Sequence, residues 1–466
     1  MGSEIQKIHK LLTSRKVSCT ELIQERLDGL EKNTHATVNF LLTDFALERA
    51  QKVDAKLNKG EKIGLLEGVP FGIKDVFLLQ GQPASASSDF LKAYKSPYTA
   101  TAIQRLLDEG AIPIVKENCD SFGHGSTSEN TVFGSVKNAL DDSLVGGGSS
   151  GGSAVNVALQ HTAFSIGGDT GGSIRQPAGY NKVYGLKPTY GKISRYGIMA
   201  YASSTDCVGP IANSVEDVEL LLNVMAGEDV HDQTTFTSET VDASVALEPK
   251  KVTIGYYKEF VEGDGLNATI KADFFTLLDQ LKAEGVSIKE LSFAQSDALV
   301  STYYVSVLAE TASNLARLDG TMYGNRLEAD TLKDSYSLTR SENFTEETKK
   351  RIVGGNQVLS EGHADEIYTK ATAIRSQITA CFTKDLEGVS VILSPVSPSL
   401  PPKIGEGLKD PLAMYLSDIY TIGFSLAGLP TLAIPAGTET GIQITGDKRE
   451  EELLLRFATL VNSLSK

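Results

Sequence analysis

Apolar residues recur at helical spacing through the first part of the chain. Ser18 and Glu21 form a capping-box pattern ahead of Leu22, Ile23, Leu27 and Leu30, and Leu47, Ala50, Val53 and Leu57 carry an apolar stripe up to Gly60. This predicts a helical lead-in over residues 1–60, packed on the rest of the chain. From Leu65 the texture changes to short apolar runs alternating with helical patterns: Gly68 to Ile73 as a strand, Ile103 to Leu107 as a helix, Ala111 to Val115 as a strand. Between Gly146 and Gly172 two Gly/Ser-rich segments flank a helical stretch, Ala154 to Leu159, and a strand-like one, Thr162 to Ile166, so a flexible linker is not expected there. The alternation resumes with Val252 to Tyr257 as a strand, Phe274 to Leu281 as a helix ending near Gly285, and Val391 to Leu393 as a buried strand. Charged residues from Asn325 to Lys350 predict surface loops or exposed helices. Such alternation specifies an α/β core, and without internal repeat or linker the chain reads as one large domain.

Composition narrows the function classes. The 466 residues are 41% hydrophobic and 22% charged, with 43 Gly, no Trp and 4 Cys, the profile of a soluble globular chain rather than a disordered or disulfide-built one. With 44 Lys+Arg against 59 Asp+Glu the net charge is −15, which disfavours this chain gripping a phosphate backbone by itself. A basic partner could still bring nucleic acid. Cys19, Cys119, Cys207 and Cys381 are scattered, with no CxxC pair, and read as reduced thiols of a cytoplasmic protein. The N-terminus has no apolar signal-peptide core, and the longest mostly apolar stretch, Gly423 to Gly437, is interrupted and shorter than the ~20 residues a spanning helix needs. No membrane segment is expected.

Candidate chemistry lies in the glycine-rich zone. Gly147-Gly148-Ser149-Ser150-Gly151 fits the GxSxG nucleophile elbow, but His161, His231 and His363 lack a recognisable acid partner for a serine triad. No Gly-Lys-Ser/Thr follows the glycines, and no HExxH or cysteine cluster appears, which disfavours nucleotide and metal sites. What remains is Lys74 after an apolar strand, Ser149 in the first Gly/Ser turn, and Ser173 at the end of Asp169-Thr170-Gly171-Gly172-Ser173. A desolvated lysine can serve as base for a serine, and consecutive glycines let backbone amides converge on an oxyanion. From spacing alone an alternative stands beside this: Lys74 pairs with Asp75 or Asp169, and the Gly/Ser segments are tight turns.

The run from Gly68 to Pro210 contains GVPFGIKD, GGSSGGSAVNVA, GDTGGSIRQPAG and GLKPTYGKISRYGIMAYASSTDCVGP, and in these motifs the chain resembles the amidase signature family. The resemblance implies a single α/β/α domain over residues 1–466 around a mixed β-sheet, and amide hydrolysis by a Lys-Ser-Ser triad. It places the base on Lys74, the relay serine on Ser149, carried on a cis peptide, and the nucleophile on Ser173. Backbone amides of Thr170, Gly171, Gly172 and Ser173 would form the oxyanion hole. Three stretches, 194–210, 308–324 and 417–435, are similar to the branch of the family made up of glutamine-hydrolysing subunits of tRNA-dependent amidotransferases. That likeness implies release of ammonia from glutamine for conversion of Glu-tRNA(Gln) or Asp-tRNA(Asn), in a heterotrimer with a B and a small C subunit. It implies no cofactor or metal on this chain, with ATP, Mg2+ and tRNA handled by the B subunit. Arg351, in ETKKRIVGG, and Asp418, in YLSDIYTI, match the motifs that hold the glutamine α-carboxylate and α-ammonium. With Lys349 and Lys350 beside it, Arg351 reads equally as a surface charge. A free-standing amidase acting on another small amide is the alternative function. The chain departs from the family pattern at Gly146 (usually Pro), Gly168 (Thr or Ser), His124 (Met), Asn181-Lys182 and Gly423-Phe424-Ser425, which touches pocket shape rather than the triad. His124 reads either as a substrate contact or as a satisfied loop histidine.

Overall fold

A computed structural model of the chain describes residues 2–263, 265–406, 411–436 and 439–464, so Gly437, the end of the apolar run noted above, lies outside the described residues. Eleven strands among these form one mixed sheet: β1 (Val38–Leu41), β2 (Pro70–Lys74), β3 (Ile112–Glu117), β4 (Phe164–Asp169), β5 (Tyr184–Lys187), β6 (Cys207–Ala212), β7 (Thr253–Tyr257), β8 (Ser287–Leu291), β9 (Val391–Pro395), β10 (Thr431–Ile434) and β11 (Ile442–Thr445). Their order is β1-β3-β2-β4-β6-β5-β10-β11-β9-β7-β8. β2 runs parallel to both β3 and β4, and β7 parallel to β8 and β9; the remaining pairs are antiparallel. The expected α/β class, a mixed sheet flanked by helices, is what the chain adopts.

The central strands β2, β3, β4 and β6 are buried along their whole length, because helices cover the sheet and leave no solvated face to alternate towards. Two glycines in them mark close approaches. A Cβ at Gly72 would run into the Glu117 carboxylate of β3, and one at Gly209 into the Leu186 carbonyl of β5.

The lead-in is not wholly helical. Its capping box at Ser18 and Glu21 forms as predicted and starts the helix Cys19–Glu31, and the second stripe becomes the helix Thr43–Asn58. Between them Val38–Leu41 forms an edge strand paired antiparallel with β3, with an irregular register after Val38. Four residues beside Thr and Asn are too few for a helical period to overrule, so the sheet's open edge decided their conformation. The charged stretch 325–350 contains the helix Leu332–Asn343 and the start of the helix Glu346–Val358. The four cysteines are free thiols, three of them buried. No helix among the described residues is long and apolar enough to cross a membrane.

Asp217, in the helix Val215–Met225, ties the first helix down. It accepts the Ser3 hydroxyl on Oδ1 and the Glu4 amide on Oδ2 at 2.9 Å. Asp217→Ala should therefore lower stability by about 2 kcal/mol, read as a lower midpoint in urea unfolding, because two buried donors lose a charged acceptor.

Candidate active site

Lys74 is the last residue of β2, and its side chain is only 2% exposed. Parallel pairing with β4 sets the end of β2 beside the end of β4, where the chain turns into the segment 169–175. Ser149 and Ser150 arrive from the turn before the helix Gly151–Ala158, which packs on β4 and β2. The Gly148–Ser149 peptide is cis, as the resemblance implied. The Lys74 Nζ then lies 2.7 Å from Ser149 Oγ, 2.9 Å from Ser150 Oγ and 3.2 Å from the Gly168 carbonyl.

These three contacts orient the amine. A neutral amine carries two N–H groups and one lone pair. The Gly168 carbonyl can only accept, and Ser150 Oγ, itself 3.2 Å from that carbonyl, donates to it and accepts from Lys74. With both N–H groups so engaged, the lone pair is left facing the Ser149 hydroxyl. Burial pushes the Lys74 pKa below its ordinary value, against the pull of Cys119, Asp120, Asp169 and Asp206.

The alternative of a simple ion pair does not hold. Asp75 faces Lys116, with Oδ1 3.3 Å from its Nζ, and its Oδ2 accepts from the Ser85 amide at 3.2 Å and Asn39 Nδ2 at 2.9 Å. Asp169 is taken by Arg175, at 3.0 Å to Nε and 2.9 Å to Nη2. No carboxylate among the described residues forms an ion pair with Lys74. The histidine version of the GxSxG elbow fails as well: His231 stacks on Tyr196, His363 contacts Ser360, and His161 lies against Gly29.

Asp169 also shapes the loop that bears Ser173. It accepts from the amides of Gly172 at 2.9 Å, Ile174 at 3.0 Å and Arg175 at 3.3 Å. Burial alone would push this carboxyl up, but Arg175, Lys187 and the Ile174 amide hold it below its ordinary value. Of the four amides expected to form an oxyanion hole, that of Gly172 is thus already engaged. Those of Thr170, Gly171 and Ser173 have no acceptor among the described residues. The Ser150 amide donates to the Ser173 carbonyl at 3.0 Å, which joins the two serine segments. Thr421 donates its hydroxyl to the Gly171 carbonyl, and a Cβ at Gly171 would meet the Tyr303 hydroxyl.

The structure also gathers Arg351 and Asp418 near this centre. Arg351, 5% exposed, donates Nε to Glu347 Oε1 at 2.9 Å and Nη1 to the Tyr201 hydroxyl. Its guanidinium lies 5.7 Å from the ring centres of Tyr201 and Tyr304 and 5.8 Å from that of Tyr415. The surface-charge role suggested by Lys349 and Lys350 does not apply to it. Asp418 precedes the helix Ile419–Leu426, the same helix that supplies Thr421, and burial pushes its carboxyl up to about 8 against the pull of Arg351. A cavity of about 710 Å³, lined by Asp120, Thr127, Glu347 and Met414 among others, opens beside these groups.

Sequence reasoning did not single out Ser150, Tyr201, Glu347 or the Asp169–Arg175 pair. Glu347 stands four residues before Arg351 on one helix, a spacing that could have paired them. His124 is fully buried and bonded to threonines, which is the satisfied histidine of the two readings. Two other departures touch each other: Asn181 Nδ2 donates to the Gly146 carbonyl at 2.7 Å, while the Gly146 amide donates to Val136 at 2.8 Å, a bond that proline could not make. Ser425 accepts from Arg175 Nη2 at 2.7 Å.

Comparison with known proteins places the chain among amidases. A model of the amidase family matches residues 18–455. The chain is 42% identical over 465 residues to the A subunit of glutamyl-tRNA(Gln) amidotransferase from Gloeothece citriformis, covering 98% of this chain and 96% of that one. To the corresponding protein of Acidobacterium capsulatum it is 42% identical over 463 residues, with 97% of each covered. Among solved structures, the A subunit of glutamyl-tRNA(Gln) amidotransferase from Thermotoga maritima superposes with a TM-score of 0.73 at 33% identity, covering 85% of this chain and 83% of that one.

Arg175→Ala tests the loop's anchor. It strands a buried Asp169 carboxylate and should cost about 3–5 kcal/mol, measured as a fall in thermal unfolding temperature, whereas an exposed pair such as Lys52–Glu48 should be removable at little cost.

Proposed function

The chain belongs to the amidase family, and from that premise we propose that it is the glutamine-hydrolysing subunit of a tRNA-dependent amidotransferase. The observation that carries the proposal is the buried amine of Lys74, free of any carboxylate partner among the described residues and 2.7 Å from Ser149. Near-full-length likeness to the A subunits of glutamyl-tRNA(Gln) amidotransferases supports the choice of glutamine.

In this reading Ser173 attacks the glutamine side-chain carbonyl. Its proton passes to Ser149 as the Ser149 proton passes to the Lys74 lone pair, which the Ser150 and Gly168 contacts have aimed. Negative charge develops on the carbonyl oxygen, where the Thr170, Gly171 and Ser173 amides await it; one such donor is worth on the order of 3 kcal/mol of barrier. Collapse of the tetrahedral intermediate returns the proton through Ser149 to the leaving nitrogen, and ammonia departs. Water then attacks the acyl-serine by the same route in reverse, releasing glutamate. Arg351 holds the α-carboxylate and Asp418 the α-ammonium. The ammonia goes to a B subunit, which uses ATP and Mg2+ to amidate Glu-tRNA(Gln) or Asp-tRNA(Asn), with a C subunit completing a cytoplasmic heterotrimer.

Ammonia release from glutamine by the full chain, alone and co-expressed with partner subunits, is the direct test. Ser173→Ala should abolish it while leaving the fold intact; release at the parent rate would overturn the assignment. Turnover of an apolar amide without partners, indifferent to Asp418→Asn, would instead point to a free-standing amidase.

Two further outcomes follow from the geometry. Ser150→Ala should lower kcat about 10- to 100-fold with little change in KM, because an N–H of Lys74 loses its acceptor and the lone pair its aim. Asp418 gives a pH signature. Burial raises its carboxyl to about 8, so below that pH glutamine must displace a proton to seat its ammonium. The KM for glutamine should fall as pH rises from about 6 to about 8 and then level, and Asp418→Asn should raise KM and remove the slope.

A further inference from the structure

Tyr201 is the residue at which the two halves of the site meet. It sits in the loop before β6, 5% exposed, with its amide donating to Asp206 Oδ2 at 2.9 Å and its carbonyl accepting from Asn314 Nδ2 at 3.2 Å. Its ring lines the small cavity that also contains Lys74, Ser149 and Thr170, and its hydroxyl accepts from Arg351 Nη1. His124 packs against that ring edge to face, with centres 4.5 Å apart and planes at 81°. The histidine has no freedom of its own. Nδ1 meets Thr348 Oγ1 at 3.3 Å and Nε2 meets Thr311 Oγ1 at 3.4 Å, so a neutral imidazole donates to one hydroxyl and accepts from the other. Thr348 lies one turn from Arg351 on the helix Glu346–Val358, and Thr311 lies on the helix Leu299–Asn314 that bears Tyr304.

Arginine has five N–H donors in a fixed plane. Glu347 takes the Nε hydrogen and Tyr201 one on Nη1, which fixes the plane at two points and leaves the other Nη hydrogens as a fork for a planar anion. We propose that Tyr201, braced by His124, is a specificity-determining residue of this site: its hydroxyl sets the Arg351 plane for the α-carboxylate of the substrate. The inference rests on the glutamine reading above. It separates recognition from chemistry, since a substrate without an α-carboxylate makes no use of the oriented fork. A site built around such a hydrogen bond discriminates more strongly than an apolar pocket does, because the wrong ligand leaves buried polar groups unpaired.

The test compares glutamine with glutaminamide, which keeps the side-chain amide and replaces the α-carboxylate by a carboxamide, on the full chain co-expressed with its partner subunits. Tyr201→Phe keeps the ring and its contact with His124 and removes the hydroxyl, with its bonds to Arg351 and Tyr303. It should raise the glutamine KM about tenfold with kcat within about threefold, and leave the glutaminamide KM within about twofold. His124→Met, which installs the residue usual in the family, should shift the glutamine KM in the same direction by less, and covers the case in which Tyr201→Phe does not fold. Equal changes on both substrates, or an unchanged glutamine KM in both variants of an enzyme that turns glutamine over, would overturn the inference alone. A parent enzyme that hydrolyses glutaminamide but not glutamine would sink the glutamine reading itself.

Discussion

The centre of this molecule depends on a buried amine that no carboxylate among the described residues claims. Lysine in a protein interior ordinarily keeps its charge by finding an anion; Asp120 and Asp206 pull on Lys74 while bound to backbone amides of their own, and two further carboxylates are at hand, Asp75 next in sequence and Asp169 at the end of β4. Each has a cation of its own instead. Lys116 from β3 faces the first and Arg175 the second, so Lys74 is left among two hydroxyls and a carbonyl. The two buried pairs therefore matter less for what they add to stability than for what they withhold from Lys74. Removing Arg175 would leave Asp169, whose charge already pulls on Lys74, without its cation.

Sheet topology makes this arrangement possible without long-range adjustment. Because β2 and β4 are parallel neighbours, the side chain ending one strand and the loop leaving the other emerge at the same edge of the sheet. The Ser149 turn reaches that edge because the helix after it packs back across β2 and β4. Loop 169–175 is then wound around a single carboxylate, which receives three backbone amides and a guanidinium. The helix Ile419–Leu426, far along the chain, closes the ring by holding Gly171 through Thr421 and offering Asp418 at its start.

Much of this was legible in the residues. The capping box, the strand ending in Lys74 and the helix after the first Gly/Ser turn follow from local pattern, and the expectation of a mixed sheet came from the family motifs. Local pattern failed where the decision was tertiary. β5 and β6 contain Gly185 and Gly209 and are buried along their whole length, so neither alternation nor β-branched enrichment announces them. β1 forms because β3 would otherwise have an open edge. At the site, Lys74 could be picked out by its apolar context, but the partners that deny it a counter-ion could not, since Arg175 and Lys116 read as ordinary charges until the fold buries them. Tyr201 gave no signal because its significance lies in contacts with Arg351 and His124, each distant along the chain.

The link between Asn181 and Gly146 bears on how such a chain diverges from its relatives. The asparagine's amide caps a carbonyl whose own N–H is spent on Val136, so the two positions form one hydrogen-bonded unit rather than two independent sites. Replacing the glycine with proline would remove the donor to Val136 and keep the carbonyl that the asparagine caps, whereas replacing the asparagine would orphan that carbonyl. The asparagine thus serves this stretch of backbone whichever residue stands at 146, while the bond to Val136 exists only where that residue has an N–H.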